Sequence, residues 1–162
     1  MDRTPEYSDP YLRTILRDVR VIVMVGASPK WNRPSHFAMR YLQLKGYRVI
    51  PVNPASAGGE ILGEKVYASV RDVPVAVDMV QIFRNSEAAG PLTDEAIAAK
   101  AKVVWMQLGV RNDAAAERAR AAGLKVVMNR CPKIEYGRLF GELGWCGVDT
   151  GVISSKRQRG LR

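Results

Sequence analysis

The fold class is decided by Val21-Ile22-Val23-Met24-Val25-Gly26-Ala27-Ser28, an uncharged apolar run that ends abruptly at a glycine and a short polar loop. Pro34-Ser35 then opens a segment in which apolar residues recur at helical spacing. A buried strand, a tight turn and a helix start in this order are typical of a parallel strand that leads into an anion-binding helix N-terminus. The stretch therefore predicts an α/β fold with a site for an anion at the turn.

Strand and helix patterns alternate along the rest of the chain. Because we find no hairpin signal among them, we expect a parallel sheet with helices on both faces. Right-handed crossovers make this a Rossmann-like doubly wound sheet of about five strands in three layers. The predicted helices cover 9–18, 34–45, 87–100, 112–122 and 134–143, and the predicted strands cover 20–25, 47–52, 75–83, 103–107 and 124–128.

Length and composition are those of an ordinary globular chain, with 162 residues of which 47% are hydrophobic and 25% are charged. We expect one domain over residues 1–150 and a basic tail over 151–162. No stretch approaches the roughly 18 unbroken apolar residues that a membrane helix needs, and no signal peptide is visible. Two cysteines are too few for a disulfide framework or a metal site. These features predict a cytoplasmic protein that does not contact membranes.

The positive charge of the chain is concentrated in two places. The net charge is +9, and no Asp or Glu occurs between Asp18 and Glu60, a segment that surrounds the Gly26 turn. A basic surface could serve nucleic acid, and a basic site could serve a polyanionic small molecule. The cations near Gly26 follow strand ends rather than a helix stripe, and aromatic residues are few, so nucleic acid is disfavoured. The cations are Arg20, Lys30, Arg33, Arg40, Lys45 and Arg48 near the turn, and Lys156, Arg157, Arg159 and Arg162 in the tail.

Ligands of open parallel sheets bind beyond the carboxyl ends of the strands, at the point where the strand order reverses. The residues that follow each predicted strand are therefore the candidate binding residues, and Lys30, Arg33 and Ser35 join them from the first loop and helix. Asp78 lies near the start of the third strand, at the opposite edge, and is predicted to be structural. The candidates at the strand ends are Gly26, Ala27 and Ser28, then Val52, Asn53 and Pro54, then Ile82, Phe83 and Arg84, then Gln107 and Gly109, then Asn129 and Cys131.

The end of the second strand separates the candidate ligands. A Rossmann domain that binds NAD usually has an acid there for the ribose hydroxyls. Here the strand ends in Val52-Asn53-Pro54, without a carboxylate. This disfavours NAD and favours a ligand with an extra phosphate, a description that fits both NADP and coenzyme A.

Several motifs together resemble the family of free-standing CoA-binding domains, whose fold is similar to the N-terminal domain of the succinyl-CoA ligase α subunit. The resemblance covers roughly residues 10–145. It is carried by Val25-Gly26-Ala27-Ser28, Arg33-Pro34-Ser35, Gly46-Tyr47-Arg48-Val49-Ile50-Pro51-Val52-Asn53-Pro54 and Asn129-Arg130-Cys131-Pro132-Lys133-Ile134-Glu135.

The resemblance implies that residues 1–150 form a CoA-binding domain. The pyrophosphate would lie on the Gly26 turn and the Ser35 helix start, and the adenine against 52–54, with Ile82 and Phe83 lining the site. In the ligase, a lysine in the loop after the second strand helps to bind the nucleotide. The corresponding position in this chain falls near Ser56, so we expect Lys30 or Arg33 to supply the missing positive charge.

We therefore predict that the chain binds coenzyme A or an acyl-CoA without catalysis of its own. An NADP-dependent oxidoreductase or NADP-sensing Rossmann domain is the alternative. Ligase activity is not transferred, because the ligase's phosphorylated histidine lies in a second domain, and the single histidine here, His36, lies beside the predicted phosphate site. Two interpretations of Cys131 stay open: a mixed disulfide with the CoA thiol, or packing as a small apolar residue. A protein partner that recognises the bound state also stays open.

Overall fold

A computed structural model describes residues 5–141, which fall into two compact units. Of these residues, the larger unit contains 5–6 and 19–130, and the smaller contains Tyr7–Asp18 and 131–141. In the larger unit the strands are β1 (Val21–Val25), β2 (Arg48–Val52), β3 (Glu60–Ile61), β4 (Glu64–Lys65), β5 (Met79–Ile82), β6 (Val103–Met106) and β7 (Lys125–Val127). Its α-helices are α2 (Pro34–Leu44), α3 (Ala89–Ala98) and α4 (Asp113–Ala121), and 3-10 turns occupy Pro54–Ser56 and Val70–Asp72; the smaller unit has α1 (Asp9–Asp18) and α5 (Pro132–Leu139).

The main sheet has five strands, all parallel, in the order β2-β1-β5-β6-β7. This confirms the predicted α/β, Rossmann-like doubly wound architecture. The chain crosses from β1 to β2 in one direction and from β5 through β6 to β7 in the other, so the strand order reverses between β1 and β5. Because such crossovers are right-handed, α2 lies on one face and α3 and α4 lie on the other. The reversal point is where the fold class places its ligands.

The packing of α3 and α4 explains why both helices are rich in alanine. Ala96 of α3 and Ala115 and Ala119 of α4 are fully buried in one cluster with Val80 and Val104 of the sheet. Small side chains let the two helices lie close to the β-branched surface beneath them. Helix α4 begins within one residue of the predicted start, and its N-cap is Asn112, whose side chain accepts a hydrogen bond from the Ala115 amide at 3.0 Å.

The amino-terminal edge of the sheet is closed by Asp78, as the sequence predicted for a structural residue. One carboxylate oxygen of Asp78 accepts hydrogen bonds from the amides of Arg20 and Val21, both at 2.9 Å, and the other lies 3.4 Å from Lys102 Nζ. Burial acts to raise the pKa of Asp78, but the two amides and the Lys102 ammonium outweigh it, and the pKa lies below its ordinary value of 3.8. The carboxylate thus binds β1 to the start of β5.

Two details of the predicted strand pattern were wrong. A small antiparallel hairpin pairs β3 with β4, although no hairpin was predicted. Its two turn residues are Leu62 and Gly63, both with positive φ, and leucine is rarely found in that conformation, so the turn carries no recognisable signal. The third strand was predicted from residue 75 but begins at Met79, because its pairing with β1 starts only at Ile22.

The smaller unit contains two helices and an ion-pair cluster. In α1, Leu12, Ile15 and Leu16 are buried. Arg138 of α5 lies 2.7 Å from Glu135 and 3.0 Å from Asp9, and its hydrogen bond to Glu135, followed by that to Asp9, raises the pKa of the guanidinium. The last predicted helix extended to 143, whereas α5 ends at Leu139; residues 142–143 and the basic tail lie outside the described residues.

Candidate functional site

A cleft of about 470 Å³ opens at the reversal point of the sheet, beyond the carboxyl end of β1. This volume is in the range of small-molecule sites. Seven of the predicted binding residues line it, and Pro29, Pro34 and Ser56 complete the wall. The seven are Gly26, Ser28, Lys30, Arg33, Ser35, Asn53 and Phe83.

Gly26 forms the floor of the turn, and no other residue fits there. Its φ is +91°, and its amide donates to the carbonyl of Val52 at 2.9 Å. A Cβ on this residue would lie 2.3 Å from the carbonyl oxygen of Phe83. The glycine therefore lets the end of β1 pass directly against the end of β5, with the open side of the turn facing the cleft.

Two serine hydroxyls hold the turn in shape. Ser35 Oγ accepts a hydrogen bond from the Ser28 amide at 3.1 Å, and Ser28 Oγ accepts one from the Lys30 amide at 3.1 Å. Each hydroxyl is the acceptor in these bonds, so its own proton is left to be donated. Since both residues line the cleft, the turn has two O–H donors to offer to an anion.

The helix that borders the cleft begins without a negative group of its own. Arg33 is the N-cap of α2 and makes no side-chain capping bond, Pro34 follows it, and the first turn contains no acidic residue. The side chains of Lys30 and Arg33 are exposed at the rim. The positive end of the helix dipole and two cations therefore act on the same space.

The β2 side of the cleft is held by Asn53. Its side-chain nitrogen donates to the carbonyl of Ala27 at 2.8 Å, and its side-chain oxygen accepts from the amide of Ala55 at 3.0 Å. The side chain thus ties the loop after β2 to the turn after β1, in a position where an NAD-binding domain has a carboxylate. Pro54 is exposed and Ala27 is buried.

The donor set of the cleft fits a phosphate-bearing cofactor. None of its ten lining residues is an aspartate or glutamate, and serine hydroxyls, two cations and a helix N-terminus converge there. Such groups stabilise a phosphate through charge-assisted hydrogen bonds.

The remaining predicted residues lie elsewhere. The side chains of Val52 and Ile82 are buried in the core of the larger unit, and Arg84 is exposed beside the Gly26 turn. At the ends of β6 and β7, the Gly109 amide donates to Asn129 Oδ1 at 2.7 Å, next to Gln107. This second group is separate from the residues that line the cleft. Cys131 belongs to the smaller unit and is 9% exposed.

Sequence reasoning missed Pro29, Pro34 and Ser56 as wall residues. The candidates were the residues at the strand ends together with Lys30, Arg33 and Ser35, and the three missed residues belong to neither set. Within residues 5–141, no group of three or more His, Cys, Asp or Glu residues could hold a metal ion. In the same part of the chain, every helix is too short or too polar to cross a bilayer.

Comparison with known proteins gives a consistent result. The model of the CoA binding domain family matches residues 20–137. An uncharacterized protein of Bacillus subtilis (strain 168), YneT, is 33% identical over 125 residues, which are 77% of this chain and 91% of that protein.

Two solved structures illustrate the range of the similarity. A hypothetical protein from Pyrococcus horikoshii OT3 is 39% identical with a TM-score of 0.79, and the match covers 86% of this chain and 99% of that one. The dinucleotide-forming acetyl-coenzyme A synthetase 1 of Ca. Korarchaeum cryptofilum is 28% identical with a TM-score of 0.57, over 67% of this chain and 26% of the synthetase. With a family match over most of its length and the cleft in the position that this fold uses for ligands, the chain belongs to the family of CoA-binding domains.

Proposed function

We propose that this protein binds coenzyme A or an acyl-CoA in the cleft, with the pyrophosphate over the Gly26 turn and the first turn of α2. The observation that carries the proposal is the convergence of two serine hydroxyls, two cations and a helix N-terminus on a space with no carboxylate in its lining. The lining of such a site carries positive groups without a negative one, and a polyphosphate ligand would supply the balancing negative charge.

The loop after β2 would take the adenosine end of the ligand. Asn53 and Pro54 stand there, and neither repels a phosphate on the ribose as a carboxylate would. Lys30 and Arg33 are the cations in the lining of the cleft, and both are exposed. In this arrangement the 3′-phosphate of coenzyme A adds to the affinity rather than reducing it.

The pantetheine arm would run along the carboxyl edge of the sheet, past Phe83 and toward Gln107, Gly109 and Asn129. The strand order supports this direction, because β5, β6 and β7 follow β1 in sequence across the sheet. We propose no reaction for the cleft itself, since its ten lining residues include no Asp, Glu or His that could act as a general base toward the hydroxyl of Ser28 or Ser35, and no Cys.

Calorimetric titration with coenzyme A, dephospho-CoA and NADP tests the proposal. We expect coenzyme A to bind about tenfold more tightly than dephospho-CoA, because a charge-assisted contact to the 3′-phosphate contributes roughly 1.5 kcal/mol. NADP should bind more weakly than coenzyme A. Tighter binding of NADP would favour an NADP-sensing domain, and no binding of any of the three compounds would refute the proposal.

A further inference from the structure

Gln81 is a polar side chain in an apolar position. It lies on β5 in the centre of the sheet, beside Met24 of β1 and Trp105 of β6, and it is 0% exposed. Its side-chain nitrogen donates to the side-chain oxygen of Gln107 at 3.0 Å. Its own side-chain oxygen has no hydrogen-bond partner among the described residues.

Such an arrangement does not serve stability. A buried carbonyl oxygen without a partner loses its hydration and receives nothing in return, so an apolar side chain of the same length would be tolerated better. Met79, two residues earlier on the same face of β5, is such a side chain. The consequence of having an amide at Gln81 must therefore be sought at its partner, Gln107.

Gln107 is fixed in both backbone and side chain. Its backbone N–H donates to the backbone carbonyl of Ile82 at 3.1 Å, and its backbone carbonyl accepts from the backbone N–H of Val110 at 2.7 Å. Because the bond from Gln81 occupies Gln107 Oε1, the Nε2 group is the part that remains for another molecule, and within residues 5–141 it has no acceptor. Gln107 is only partly buried, so this N–H donor stands at the carboxyl edge of the sheet.

The distance from the cleft fits one part of the proposed ligand. β6 is the second strand from β1, and at about 4.8 Å per strand its end lies roughly 10 Å from the Gly26 turn. An extended chain covers about 1.2 Å per bond, so the two amide carbonyls of pantetheine lie roughly 6 and 11 Å from the pyrophosphate. The second of these carbonyls reaches the end of β6.

We propose that Gln81 is a positioning residue, which holds Gln107 so that its Nε2 group donates to an amide carbonyl of the pantetheine arm. This inference rests on the proposed function and adds to it the hydrogen-bonding character of one end of the site. The β6 end of the site presents a donor, and it selects ligands that carry a carbonyl oxygen about 10 Å from their phosphates.

The variant Gln81→Met tests the inference, with coenzyme A and adenosine 3′,5′-bisphosphate as ligands. We expect the affinity for coenzyme A to fall about three- to tenfold, the effect of one hydrogen bond, while the affinity for the bisphosphate stays within error. The urea midpoint should stay the same or rise, which a purely structural role would not produce. Gln43→Met is the matched control, because Gln43 donates to the carbonyl of Leu62 away from the carboxyl edge.

Gln107→Met provides a second route that does not disturb the core. We expect the same selective loss for coenzyme A, and the double variant should lose no more than Gln107→Met alone. Unchanged affinity for coenzyme A in both single variants, or an equal fall for both ligands, would overturn the inference. If the unmodified protein bound neither compound, the proposed function itself would fail, and the role of Gln81 with it.

Discussion

The two edges of the main sheet solve the same electrostatic problem in opposite ways. At the amino-terminal edge, the amides of Arg20 and Val21 and the ammonium of Lys102 converge on the carboxylate of Asp78. At the carboxyl edge, the first turn of α2 and the side chains of Lys30 and Arg33 converge on a cleft without a carboxylate. One edge contains its own anion, and the other leaves the anion to a ligand.

This difference separates residues that stabilise from residues that bind. Changes around Asp78 should lower the free energy of unfolding and leave ligand affinity unchanged. Changes at the rim of the cleft should lower ligand affinity and leave the free energy of unfolding unchanged, because an exposed cation contributes little to folding. Gly26 lies at the carboxyl edge and also allows the end of β1 to lie against the end of β5, so a substitution there should change both the free energy of unfolding and the ligand affinity.

Gly26→Ala should have the largest effect. The alanine would have to keep the positive φ of this position, and its Cβ would collide with the Phe83 carbonyl. We therefore expect a loss of about 3 kcal/mol in the free energy of unfolding and no measurable CoA binding. Urea denaturation and calorimetry measure the two. Gly123→Ala is the control, since Gly123 has the same φ of +91° but no atom within 4 Å of the position that a Cβ would take. It should lose only about 1 kcal/mol, and equal losses in the two variants would show that the collision is unimportant.

Asp78→Ala should cost about 2 kcal/mol of stability, because two backbone amides lose a charged acceptor. CoA affinity should not change. Since the pKa of Asp78 is lower in the folded protein than its ordinary 3.8, its stabilising contribution is complete above about pH 4 and is lost as pH falls through the folded pKa.

Urea denaturation at about pH 7 and about pH 3 therefore distinguishes the contribution of the Asp78 charge from that of an uncharged acceptor of the same shape. The unmodified protein should lose more stability between the two pH values than Asp78→Asn, which keeps an acceptor oxygen but cannot titrate. Identical pH dependence in the two proteins would show that titration of Asp78 does not contribute to the loss of stability at low pH.

Arg33→Ala should weaken CoA binding about tenfold and leave the urea midpoint within error. The fall should shrink as salt is added, because the lost contact is between charges. Arg40→Ala is the matched control: it removes the same charge from an exposed position of the same helix, outside the lining of the cleft. Equal effects of the two substitutions on calorimetric affinity would mean that only net charge matters.

Ser35→Ala should have the smallest effect, a fall of about threefold in CoA affinity. The substitution removes one hydroxyl donor and the acceptor of the Ser28 amide. Ser69→Ala, which removes a hydroxyl bonded to Asp72 in an exposed loop, should leave the affinity unchanged. A larger fall for Ser69→Ala than for Ser35→Ala would argue against the turn as the phosphate site.

Much of this architecture could be predicted because it depends on local signals. The apolar run that ends at Gly26, Pro34-Ser35 at the start of the next helix, the alternation of strand and helix patterns and the absence of acids between Asp18 and Glu60 led to the five parallel strands and to the cleft residues. Each of these signals lies within a continuous part of the chain, so a single sequence is enough to show it.

Most of what could not be predicted depends on partners that are distant in sequence. The valines at 75 and 77 have strand propensity, yet the ladder begins after them, because Asp78 meets β1 where β1 starts. The pairing of Gln81 with Gln107 joins residues 26 positions apart, and nothing in either local pattern announces it. The Leu62 turn adopts a conformation that leucine rarely takes.

Backbone amide NMR during a titration with coenzyme A tests the difference between the two edges most directly. We predict large shifts for the amides of Ala27, Ser28 and Ser35 at the carboxyl edge, and unchanged positions for those of Arg20 and Val21, whose anion is already in place. Shifts at the Asp78 edge without shifts at the Gly26 turn, or no shifts at either edge on saturation, would contradict the central claim.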